Sequence, residues 1–171
     1  MKLESLHDLF VHRITDLYDA EEKFEVGLER WHHAAHMPLL QDNVKAYADG
    51  TTRRRNRLKK VGDCIDASVD GGTSEVVEAI VKTGDALVQS VAAADIRDAA
   101  IIVAFRQVQR YLVAAYETAE SLASELACAD AAALLARSVR DHEEAAGEVT
   151  VQAVRKLHVE AAAQPDASPG N

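Results

Sequence analysis

Glu21, Thr51, Arg54, Gln109, Ser138 and His142 are polar residues that interrupt four otherwise apolar helical stripes at about mid-length. A single interruption is commonly a register device, whereas four at similar depth imply a shared buried polar layer. Two chemistries are open to such a layer. Carboxylate and imidazole side chains converging between helices are the donor types that hold iron, manganese or zinc. A guanidinium beside a carboxylate gives instead a charge-assisted ion pair, because arginine does not deprotonate in proteins. A two-metal bundle of the carboxylate type needs a Glu from each of two helices and Glu-x-x-His from the other two. No inward Glu-x-x-His is present, and Glu29 to His32, which has that spacing, falls at the end of the first helix.

The elements that must position these residues follow from periodicity. Phe10, Ile14, Leu17, Glu21, Phe24, Leu28, Trp31 and Ala35 alternate spacings of four and three, which predicts a helix from about Glu4 to Ala35. Pro38 suits the first turn of a second helix ending near Ala67, with Leu40, Val44, Tyr47, Thr51, Arg54, Leu58, Val61 and Ile65 inward. Asp70-Gly71-Gly72 breaks the chain, and Ser74 is placed to cap a shorter helix carrying Val76, Val77, Ile80, Val81, Leu87 and Val88. Asp95 is expected to cap the third long helix (Ile102, Phe105, Gln109, Leu112, Tyr116, Ala119, Ala123, Leu126), which ends near Cys128. Asp130 is expected to cap the fourth, with Leu135, Ser138, His142, Ala145, Val149 and Gln152 inward. The expected domain spans residues 1–160, and 161–171, with its Gln164-Pro165-Asp166 run, reads as a disordered tail.

Long helices of this kind, each on the order of 45 Å at ~1.5 Å per residue, pack lengthwise. The fold class is therefore all-α: a ferritin-like four-helix bundle with one long crossover that contains a short fifth helix. Hydrophobic residues make up 48% of the 171, enough for one sizeable core, while scarce Gly, Pro and aromatics suit packed helices. A net charge of -9 repels a phosphate backbone, so nucleic acid is not an expected partner. There is no spanning apolar run and no basic-then-apolar leader, so neither a membrane nor export is expected, and the location should be cytoplasmic.

Two strings carry a family resemblance: Asp8-Leu9-Phe10 followed by Asp16-Leu17-Tyr18-Asp19-Ala20-Glu21, and Ile96-Arg97-Asp98-Ala99-Ala100-Ile101-Ile102 leading through Val108 and Tyr111 to Ala114-Ala115-Tyr116. From about residue 4 to 157 the chain resembles the YciF/YciE-like ferritin-like bacterial stress proteins. The resemblance implies a helical bundle with a buried carboxylate-rich dimetal site, frequent dimerisation and a stress association, without an established reaction. Carried over by position, the family's first carboxylate falls on Glu21. The second helix's Glu falls on Gly50, and its polar neighbour falls on Arg54. The third helix's Glu-His-Tyr-Glu falls on Gln109-Arg110-Tyr111-Leu112, and the fourth helix's paired Glu falls on Asp141-His142. Lost carboxylates and gained arginines argue against oxidase or ferroxidase chemistry.

The expected layer is thus Glu21, Thr51, Arg54, Gln109, Arg110 and His142, with Arg54 or Arg110 holding Glu21 ionised, and with neither cofactor nor catalytic residue. The alternative is a residual mononuclear iron, manganese or zinc site on Glu21, His142 and Asp141, with Gln109 a further donor, in a metal-binding protein or weak oxidase. A third reading is a small-molecule pocket where Gly50 and Leu112 replace larger polar residues. His32 and His36 are spaced to chelate a metal but read as surface histidines, and the run Arg53 to Lys60 reads as a solvated face or subunit contact. Cys64 and Cys128 read as free thiols. Val11, Val26, Val103, Val113 and Val139 fall outside the inward stripes, so a homodimer or another protein partner is expected.

Overall fold

The computed structural model describes the backbone of residues 3–163, with side chains in the last helix described no further than Gly147. Its helices are α1 (Leu6–Ala34), α2 (Pro38–Asp63), α3 (Glu75–Gln89), α4 (Ala94–Glu125) and α5 (Ala129–Ala163), with no strand among the described residues. Helices α1, α2, α5 and α4 pack in that cyclic order, and α3, the crossover helix, lies against α1 and α4. The tail expected over 161–171 lies outside the described residues from position 164, as do the side chains of Val149 and Gln152.

The apolar stripes form the core. Every residue of the α1 stripe is buried, and along α2 the buried stripe runs from Leu40 to Val61 with Ile65 half-buried at its end. Ser5 starts α1 by accepting a hydrogen bond from the Asp8 backbone N–H at 3.0 Å, and Asp8 in return accepts from the Glu4 N–H at 3.1 Å. This reciprocal arrangement satisfies one orphan donor of the first turn and the N–H that precedes the cap.

Elsewhere the helix ends differ from the sequence reading. Helix α2 stops at Asp63 rather than near Ala67, because Asp66 takes a left-handed φ of 52° and the Ala67 N–H returns to the Gly62 carbonyl at 3.0 Å. Helix α4 ends at Glu125, where Ala127 takes a left-handed turn and the Cys128 N–H reaches back to Ala123 at 2.9 Å. Asp95 and Asp130 are not caps: they sit inside the first turns of α4 and α5, where a carboxylate complements the helix dipole. Ser74 does precede α3, but its hydroxyl makes no cap, and its own N–H donates to Asp19 Oδ2 at 2.6 Å.

Three aspartates tie the elements together. Asp19 holds the start of α3 through Ser74. Asp85 of α3 accepts from the Trp31 indole N–H at 2.8 Å and from Arg30 at 2.6 Å. Asp98 of α4 is buried, and it caps α2 from outside: Oδ1 accepts the His36 N–H at 2.7 Å and Oδ2 the Met37 N–H at 2.8 Å. Met37 and Pro38 cannot cap α2 themselves, so Asp98 supplies what the local sequence lacks. We expect Asp98→Ala to strand two N–H groups and cost on the order of 2–3 kcal/mol in chemical denaturation, against near neutrality for Asp95→Ala. Equal costs would contradict the capping role.

Candidate functional site

The polar layer lies at the middle of the bundle, where α1, α2, α4 and α5 each present one or two of its members. Glu21, Thr51, Arg54, Gln109, Ser138 and His142 are all buried. Three donors converge on one oxygen, Glu21 Oε1: Arg54 Nε at 2.8 Å, His142 Nε2 at 2.9 Å and Tyr116 Oη at 3.0 Å. Arg54 also donates to Thr51 Oγ1 at 3.0 Å, and its guanidinium lies 4.6 Å from the centre of the Tyr47 ring. A carboxylate only accepts, so the His142 proton on this side sits on Nε2; Nδ1 of the neutral ring then accepts from the Tyr47 hydroxyl.

Burial by itself would raise the Glu21 carboxyl. The Arg54 charge, with His142 after it, more than reverses this and holds the carboxyl down at about 2. Burial likewise lowers the His142 imidazole despite the neighbouring carboxylate, which keeps the ring neutral. Burial raises both phenols, Tyr47 and Tyr116. The layer is therefore a single buried ion pair, Glu21 with Arg54, surrounded by neutral hydrogen-bonding groups.

Not every expected member is present. Arg110 lies on the exposed side of α4, because one residue beyond the inward Gln109 rotates by ~100° out of the core. Asp141 is drawn away from His142 by Arg57, whose Nη2 donates to it at 2.5 Å while Nη1 donates to Ser138 at 3.2 Å. Gln109 reaches the His142 carbonyl at 3.4 Å. Leu112 is fully buried in the core, whereas Gly50 borders a cavity of about 230 Å³ between α2 and α5. A Cβ at Gly50 would stand 2.8 Å from Arg54 Nη1, so glycine leaves the guanidinium room to enter the layer.

The residues present do not fit a dimetal centre. Among the described residues one carboxylate and one imidazole face the layer, both ring nitrogens are engaged, and a guanidinium already holds the carboxylate. Among the described residues no group of three or more His, Cys, Asp or Glu side chains could hold a metal ion. His36 lies beyond the end of α1, so it does not share a helical turn with His32, whose ring bonds the Gln41 carbonyl at 3.0 Å. Within the basic run, Arg55 faces Glu22 and Glu25 at 3.3 Å, and Lys59 lies over Tyr18. Cys64 and Cys128 are unbridged. What the sequence reading missed were the two phenols, Tyr47 and Tyr116; both sit on inward stripes, which was the available signal.

This fold, four long helices closed around a buried polar layer with a helical crossover, defines a ferritin-like helical bundle. The chain belongs to the family described as the domain of unknown function DUF892, whose model matches residues 5–163. It is 24% identical over 162 residues to protein YciF of Escherichia coli strain K12, covering 94% of this chain and 98% of that protein. The crystal structure of the E. coli stress protein YciF superposes with a TM-score of 0.87 at 23% identity, over 91% of this chain and 99% of that one. YcfI of Rhodopseudomonas palustris gives 0.85 at 22% identity, over 88% and 96%.

Because the ion pair is fully enclosed, Glu21→Ala should leave Arg54 buried and unpaired and cost on the order of 3 kcal/mol or more, whereas Glu29→Ala should cost little. Thermal melts with equal losses would contradict this. The acid limb follows from the same pair. A carboxyl held at about 2 when folded gives stability that is complete above its ordinary value of 4.5 and is lost as pH falls from there toward about 2. Glu21→Gln, less stable at neutral pH, should show a shallower acid loss than wild type; parallel curves would refute the assignment.

Proposed function

We propose that this chain is a noncatalytic, stress-associated helical-bundle protein of the cytoplasm that acts by assembling with itself or with another protein. The observation that carries the reading is the Arg54 guanidinium bonded to Glu21 at 2.8 Å, which puts a fixed positive charge where metal chemistry would need a cation. The relatives support it: YciF carries the description of a stress protein, and YcfI is provisionally described as a structural protein. Among the described residues no helix is long and apolar enough to cross a membrane.

Assembly is supported by the apolar residues left outside. Val26 is 50% exposed and Val103 47%, and Leu6, Leu39, Val76, Leu87 and Ile96 are exposed as well. Val113 and Val139, expected outside, are buried instead: Val113 because α4 packs against α1, α3 and α5 and needs a wider apolar face, Val139 because α5 packs against both α2 and α4. Val11 is half-buried. Such exposed apolar residues favour lateral packing on a homodimer partner or on a different chain.

A residual single iron, manganese or zinc ion has one observation in its favour: Glu21 Oε2 is buried and has no hydrogen-bond partner. Against it, Asp141 is held by Arg57, and among the described residues no third His, Cys, Asp or Glu joins Glu21 and His142. Elemental analysis of protein purified without a histidine tag decides between the two readings. Substoichiometric metal is expected; one ion per chain, lost in Glu21→Gln, would establish the metal reading instead. For assembly, light scattering should give a mass at least twice the chain's 18.5 kDa. A concentration-independent monomer would leave only a different partner chain.

A further inference from the structure

Tyr47 donates its phenolic hydrogen to His142 Nδ1, and His142 is in turn anchored through Nε2 on Glu21 at 2.9 Å. The imidazole is thus aligned to take a second proton at Nδ1 with a carboxylate already in place to stabilise the imidazolium. Above the phenol ring lies the Arg54 guanidinium, 4.6 Å from its centre. A positive charge there disfavours a cationic ring radical, so an electron can leave Tyr47 readily only if the phenolic proton leaves with it. Phe24 and Phe105 pack against the same ring at 5.4 and 4.8 Å between centroids and enclose it. Although the ring is buried, Tyr47 borders the cavity of about 230 Å³ that Gly50 and Arg53 line on α2 and that Asp141 and Glu144 line on α5, so an electron has only a short distance to travel to an oxidant held there.

We propose that Tyr47 is a buried one-electron redox site that quenches small oxidising radicals, its phenolic proton passing to His142 as the electron leaves. The oxidant, an oxygen- or nitrogen-centred radical entering the cleft beside Gly50, is reduced to its anion. The phenolic O–H bond breaks, an N–H bond forms at His142 Nδ1, and a neutral tyrosyl radical remains. One electron from a thiolate or ascorbate, with the proton returning from His142, restores the phenol. Tyr116 makes the contrasting case. It donates to Glu21 Oε1, an oxygen that already accepts from Arg54 and His142 and is therefore a poor base. The two phenols are equally buried, but only Tyr47 faces an available proton acceptor. This goes beyond the assembly reading, and oligomeric mass does not bear on it.

The test uses the full chain carrying Tyr18→Phe and Tyr111→Phe, which removes the two partly exposed tyrosines. Photogenerated tris(bipyridine)ruthenium(III) serves as the oxidant, with freeze-quenched electron paramagnetic resonance as the readout. We expect a tyrosyl signal that forms more slowly in D2O, is retained when Tyr116→Phe is added and is lost when Tyr47→Phe is added. His142→Asn, which keeps a polar side chain but removes the base, should slow radical formation in protein that circular dichroism shows to be folded. A signal lost in Tyr116→Phe, a signal confined to Trp31, or formation indifferent to both D2O and His142→Asn would overturn the proposal. If Tyr47→Phe fails to fold, the Tyr116→Phe and D2O results still decide.

Discussion

One ion pair, Glu21 with Arg54, sits where the four long helices of the bundle meet, and the rest of the layer is arranged to tolerate it. Removing two charges from water costs several kcal/mol per ion, which attraction between them offsets only with good geometry and further hydrogen bonds. Those bonds are supplied from three directions: Thr51 accepts from Arg54, and Tyr116 and His142 donate to the same carboxylate oxygen. Gly50 enters on steric grounds, since any side chain there would meet the guanidinium at once. In this geometry the arginine, not a metal ion, balances the charge of the buried carboxylate. A guanidinium delivers its charge on a fixed side chain, with no need for the several carboxylates that two metal ions require.

Beyond the buried pair, three aspartates tie the helices to one another near their ends. Asp98 holds α4 to the start of α2, while Asp19 and Asp85 hold α3 to α1 near the two ends of the crossover helix. Each tie joins residues more than fifty positions apart, so each constrains topology rather than local structure. Two of these aspartates, Asp19 and Asp98, lie in the two strings on which the sequence resemblance rests, and their role in this chain is to tie helices together.

Periodicity revealed most of this. The alternation of three and four placed Glu21, Thr51, Arg54, Gln109, Ser138 and His142 on inward faces, because a helix of fixed pitch converts spacing directly into direction. Arg110 shows where a matched string misleads: its neighbour Gln109 faces inward, so the helical phase turns Arg110 out whatever residue it replaces. Asp141 shows the other limit. It occupies an α5 position beside His142, yet its direction is decided by Arg57, on a different helix and 84 positions away, and sequence spacing carries no information about such partners. The caps show a further limit: Asp95 and Asp130 fall just inside the first turns rather than at the caps, and α2, which begins at Pro38 as expected, is capped by Asp98 from a different helix, a partner that local capping rules do not reach.

The most direct probe of this arrangement is the protonation state of Glu21 inside the folded bundle, read from its side-chain carboxyl carbon by nuclear magnetic resonance in protein labelled at glutamate. With Arg54 in place, the Glu21 resonance should stay that of a carboxylate from neutral pH down through the range where exposed glutamates titrate, and in Arg54→Met it should titrate well above them. A Glu21 resonance that titrates with or above the exposed glutamates in the wild-type protein would contradict the ion pair.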